Sequence, residues 1–161
     1  MTAFKRASQS LGSRKVALGL LTANGVLSPA GLAIHSTPEQ FKTTLRFVGR
    51  LNGETFGKAA TTALTFTAAH VVTASKFAVI LVQITPTGTV STKVPGATQA
   101  YDTAALALAA LPTADAGNVA MGYIAIAAKA ATWTANTDDM TAASDLTSAT
   151  FTDYPALTFT T

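Results

Sequence analysis

Lys76-Phe77-Ala78-Val79-Ile80-Leu81-Val82-Gln83-Ile84 is the stretch that decides the fold class. Its β-branched residues favour extended backbone, and both parities are apolar, which suits a central strand buried on its two faces. Thr85-Pro86-Thr87-Gly88 turns the chain, and Thr89-Val90-Ser91-Thr92-Lys93-Val94 returns as an edge-like strand closed by Pro95-Gly96. Upstream, Thr44 to Leu51 and Glu54 to Lys58 flank Asn52-Gly53, the dipeptide preferred in a tight type I′ hairpin turn. Leu45, Phe47, Gly49 and Leu51 alternate there with Arg46, Val48 and Arg50, so one face is apolar and the other carries charge. Ala63 to Thr67 alternates in the same way and reads as a third short strand.

Downstream, Thr103 to Leu111 is rich in Ala and Leu, ends at Pro112 and reads as a helix that packs through small residues. Asn118 to Ala127 is a second buried strand, and Ala131 to Thr134 and Thr147 to Thr152 add two more. In the tail, Phe151, Leu157 and Phe159 share one parity across Pro155, a pattern of an edge strand or of a chain exchanged with a neighbour. Thr37-Pro38-Glu39-Gln40 fits one short helical turn. Short strands with frequent turns predict a mainly β fold: an antiparallel β-sandwich or small barrel with one short helix. The expected organisation is an extended arm over residues 1–36 and a β-rich domain over residues 37–161.

Composition narrows the function classes. Charged residues are 12% of the 161, about half the roughly 25% of an ordinary soluble domain, so the surface is unusually neutral. Of the 48% hydrophobic content, 33 residues are Ala, and a further 28 residues of the chain are Thr, so a moderate core is wrapped in small neutral side chains. With no cysteine, disulfide frameworks, thiolate metal sites and cysteine nucleophiles are excluded.

The charges are sorted along the chain. Residues 1–60 carry Lys5, Arg6, Arg14, Lys15, Lys42, Arg46, Arg50 and Lys58 against Glu39 and Glu54, a net +6. Residues 61–161 carry Lys76, Lys93 and Lys129 against Asp102, Asp115, Asp138, Asp139, Asp145 and Asp153, a net −3. Such asymmetry marks an arm that meets a partner of opposite sign. The four arm cations come as two pairs, too sparse for a nucleic-acid reader, so a protein partner is expected and nucleic acid is not.

Val16 to Ile34 holds no charge and follows a basic start, an outline similar to a secretory signal. Asn24-Gly25 and Ser28-Pro29 interrupt it, leaving only Val16 to Leu21 continuously apolar, against the roughly 20 residues a spanning helix needs. The reading is an ordered arm with turns at those two dipeptides, no membrane span, and Leu18, Leu20 and Leu21 laid against the domain or a neighbouring subunit.

Catalytic signals are sparse. His35 and His70 are the only histidines, and neither has a second histidine or an acidic residue at ligand spacing. His70 reads as structural. His35-Ser36 has no nucleophile motif around it, and Asp138-Asp139 lacks the spacing of a calcium loop and reads as a loop or cap pair. No glycine-rich phosphate loop occurs. The expectation is a protein that is not an enzyme and needs no cofactor and no metal.

Taken together, residues 44–154 resemble a domain recurrent in virion proteins of tailed bacteriophages. The resemblance rests on the strand-Asn-Gly-strand opening with Lys58-Ala59-Ala60-Thr61, ALTFTAA at 63–69, VILVQITPTGTVSTK at 79–93, ALPTADAGNVAMGYIAI at 110–126, the Trp133 strand, and DLTSATFTDY at 145–154. The chain is similar in this pattern to capsid decoration (cement) proteins and head-fibre components. The resemblance implies a structural role on the capsid surface, self-association as a homotrimer, and the major capsid protein as partner. The arm residues Lys5, Arg6, Arg14, Lys15, Leu18, Leu20 and Leu21 are then the expected contacts. An alternative is a tail or fibre adaptor that touches other virion proteins or a host glycan through exposed Trp133 or Tyr101.

Overall fold

In the computed structural model, which describes residues 24–96, 100–142 and 144–156, the apolar run is strand β7 (Phe77–Ile84), buried from Ala78 onward. It lies inside a four-stranded antiparallel sheet of order β11-β9-β7-β8, with β8 (Val90–Lys93), β9 (Val119–Ala128) and β11 (Leu146–Asp153). The β7–β9 ladder runs from Phe77↔Ala127 to Ile84↔Val119, with one irregularity between Val82 and Gln83. Alternation sends Ala78, Ile80, Val82 and Ile84 into the core beside Ile124 and Ile126. Val79 and Leu81 point the other way and are also buried, on the face that helix α1 (Ala104–Ala109) covers. Thr103 caps α1 by accepting a hydrogen bond from Leu106 N at 3.2 Å. The helix buries only Ala107, while Leu106 and Leu108 stay exposed.

Opposite this sheet lie smaller ones. β4 (Phe47–Leu51) and β5 (Glu54–Lys58) form the expected hairpin, with Asn52 at φ 54° and Gly53 at φ 85°, the positive values a type I′ turn requires. β1 (Gly25–Ser28) extends it to the order β1-β4-β5. β2 (Leu32–Ile34) pairs with β3 (Phe41–Thr43), and β6 (Val71–Val72) with β10 (Trp133–Thr134), all antiparallel. One core fills the space between the layers, so the fold is mainly β and sandwich-like, with antiparallel sheets and no closed barrel.

Three expectations change. The proposed boundary at residue 36 does not mark an edge of the packed unit: residues 24–36 contribute β1 and β2, and Val26, Ala30 and Leu32 are buried in the core. The Asn24-Gly25 and Ser28-Pro29 turns expected there instead bracket β1, because the apolar residues between them find partners on β4. Residues 63–67 form no strand. Only Leu64 bridges Phe41, since the backbone of Phe66 is held by a side chain: Phe66 N donates to Asn136 Oδ1 at 2.8 Å and Asn136 Nδ2 donates to Phe66 O at 2.9 Å.

Candidate interaction surface

The outward face of the β1-β4-β5 sheet is built by alternation. Phe47 and Gly49 turn inward, so Arg46, Val48 and Arg50 turn outward, across from Gly57 and Thr55. Arg46 lies flat over β5: a Cβ placed on Gly57 would sit 3.2 Å from Arg46 Nη2, so the bare glycine leaves room for the guanidinium. Arg50 Nη2 is 3.5 Å from Thr55 Oγ1, which sets the second guanidinium along the same face. Among the described residues no carboxylate is within ion-pair distance of Arg46. Arg46, just before β4, and Arg50, within it, put two planar guanidinium groups on one face, a geometry suited to carboxylates.

The start of β1 ties the arm to this face. Gly25 pairs with Arg50, and Asn52 N donates to Asn24 Oδ1 at 2.6 Å. The chain before Asn24 therefore joins the domain at the hairpin tip, next to Arg50. Lys5, Arg6, Arg14, Lys15, Leu18, Leu20 and Leu21 lie outside the described residues.

Several acidic groups of the second half are engaged locally. Asp102 pairs with Lys76, and that hydrogen bond, followed by the ammonium charge, holds its carboxyl below the usual range. Asp115 accepts from Lys93 Nζ at 2.6 Å and from Gln83 Nε2 at 2.6 Å, which lowers its pKa in that order of effect. Gln83 Oε1 in turn accepts from Asp115 N at 2.8 Å, so this buried amide clamps the loop after α1. Asp138 Oδ2 accepts from Thr134 N at 2.6 Å. Asp139 accepts from the Thr141 hydroxyl and N–H, which lowers its pKa. This pair closes the turn after β10, as loop and cap carboxylates do.

The histidines do local work too. His70 is buried, its Nε2 is 3.1 Å from Thr92 Oγ1, and burial pushes its pKa down. His35 Nδ1 accepts from Thr37 N at 2.9 Å. No group of three or more His, Cys, Asp or Glu placed to hold a metal occurs among the described residues. Nor is any helix among them long and apolar enough to cross a membrane.

Trp133 corrects the expectation of a surface aromatic. It is 0% exposed, with Phe66 edge-on to its ring at a centroid distance of 5.8 Å. The polar neighbours Thr132 and Thr134 gave no hint of this, because the ring is covered by Phe66 from a distant segment. Tyr101 is half-buried and bridges Phe77 through paired backbone bonds of 2.9 and 2.7 Å. The two residues are not brought together as a platform. Arg46 and Arg50 were not put forward as contacts, although the charged parity of their strand was the signal that marks them.

No protein-family model, curated protein or solved structure matches this chain.

Proposed function

We propose that the protein is a non-enzymatic structural component of a tailed-phage virion, a decoration protein that binds the major capsid lattice through its basic N-terminal arm and stabilises the shell. The observation that carries this reading is the position of Asn24: the arm, whose sequence is basic, joins the domain beside Arg50, at the edge of the sheet face that carries Arg46 and Arg50. The rest of the surface, low in charge and rich in Ala and Thr, suits a subunit surrounded by copies and partners, since interface cores are depleted of charge.

The arm in this reading is residues 1–23, because residues 24–36 belong to the core. The test keeps the chain at full length and replaces Lys5, Arg6, Arg14 and Lys15 by Glu. Co-sedimentation with phage shells lacking the protein is expected to fall at least tenfold. Wild-type binding is expected to weaken as salt rises, since exposed charge pairs are screened. Shell binding unchanged by the four replacements sinks the arm assignment.

A further inference from the structure

We propose that the free edge of β11 pairs with the same strand of a second copy, antiparallel, about a two-fold axis at Thr150. The four-stranded sheet has two edges, and they differ. On β8 the edge is occupied: Thr92 N donates to Thr67 Oγ1 at 2.7 Å, Thr67 N donates to Thr92 Oγ1 at 2.9 Å, and Lys93 adds a charge. On β11 no described segment pairs with the outer side, and Leu146 to Thr152 holds no charge and no proline. Exposed edges normally carry such guards, and an edge without them is a template for another strand.

The hydrogen-bond phase shows which groups are offered. Tyr154 N donates to Met121 O, so the alternation turns the backbone groups of Thr152 and Thr150 toward β9 and those of Ala149 and Phe151 outward. Cross-strand neighbours must share a face, so a two-fold pairing centres on a residue. A centre at Ala149 sets Asp145 opposite Asp153, like charge against like. A centre at Phe151 sets Pro155 opposite Thr147. A centre at Thr150 avoids both, bonds Ala149 to Phe151 of the other copy, and places the two exposed Thr150 side chains face to face. The neutrality and this register make the edge complementary to itself, which is what an isologous contact requires.

The contact goes beyond the proposed function and needs no shell, so failure of shell binding leaves it standing. Because the chain has no cysteine, Thr150→Cys gives a single reporter. Residues at a non-hydrogen-bonded antiparallel pair have Cα atoms about 4.5 Å apart, within disulfide range. Mild oxidation of full-length Thr150→Cys is expected to give a covalent dimer at least tenfold faster than Thr55→Cys, on the other sheet. By analytical ultracentrifugation the wild type is expected to self-associate. Thr150→Lys and Thr150→Glu are each expected to weaken that association at least tenfold, and an equimolar mixture to restore it. A wild type that stays monomeric overturns the proposal, as does cross-linking no faster than Thr55→Cys or a mixture that does not re-associate. An edge covered by the chain's own arm, or reserved for a different protein, would give those results.

Discussion

The four-stranded sheet and the small sheets facing it hold together by different means. β7 and β9 supply a long backbone ladder and aliphatic side chains, so their stability comes from burial along the ladder. Across the core, β6 and β10 are two residues long, and there side chains take over the work of the ladder. Thr43 Oγ1 accepts from Thr61 N, Asn136 holds Phe66, and Thr67 and Thr92 bond each other's backbone. Rings fill the space between: Phe66 lies 5.2 Å from Phe41, 5.8 Å from Trp133 and 6.1 Å from His70. A short strand survives when specific hydroxyls, amides and rings replace the neighbours it lacks.

The sharpest way to break this contrast is Trp133→Ala, which removes the largest buried ring of the cluster. About 3–5 kcal/mol of stability is expected to be lost, read by urea denaturation. Unfolding midpoints unchanged within error would show that the cluster is dispensable. A paired substitution comes next. Thr92→Val keeps the shape but leaves Thr67 N and the buried His70 ring without their oxygen, at an expected cost of about 1–3 kcal/mol. Thr150→Val, on the other edge of the same sheet, where no hydroxyl link to the small-sheet side is made, is expected to stay within about 0.5 kcal/mol. Equal costs would show that the hydroxyl links from β8 to the small-sheet side add nothing.

His70 adds a pH dependence to the small-sheet side. Burial lowers its folded pKa below the unfolded value of about 6.5, so the unfolded chain takes up the proton first. Its contribution is complete above about pH 6.5 and is lost as pH falls through the folded pKa. His70→Gln is expected to flatten the fall in melting temperature over that acidic window. A slope equal to the wild type's would assign the dependence to other groups. The smallest effect belongs to α1, where Leu108→Ser is expected to change stability by no more than about 0.5 kcal/mol, because the side chain is already exposed.

Legibility in the sequence follows the same division. β7 was readable because a run apolar in both parities has few other uses. The Asn52-Gly53 turn was readable because positive φ at both positions selects those residues. β1, β2 and β3 were not, since three- and four-residue strands owe their existence to partners elsewhere, β1 to β4 and β2 to β3. Ala63 to Thr67 carried the alternation of a strand but had no ladder to join. At the surface, sorted charge pointed to the basic first third, while the flat seating of Arg46 over Gly57 appears only once the strands are paired. Trp133 was misplaced because exposure depends on contact with Phe66, 67 residues earlier in the chain.

Asn24, Val26, Val119, Tyr154 and Pro155 line one cleft of about 360 Å3. Asn24 and Pro155, near the two ends of the described residues, thus lie at the same spot, and the described path is nearly a closed loop. A few linking residues from Ala156 back to Asn24 would close it, and the Thr85–Gly88 turn, far along the chain and partly exposed, offers a place to cut new ends. For anyone building with this domain, a partner joined directly before Asn24 and one joined directly after Pro155 emerge on one side, and a circular permutant is the means of moving them to another.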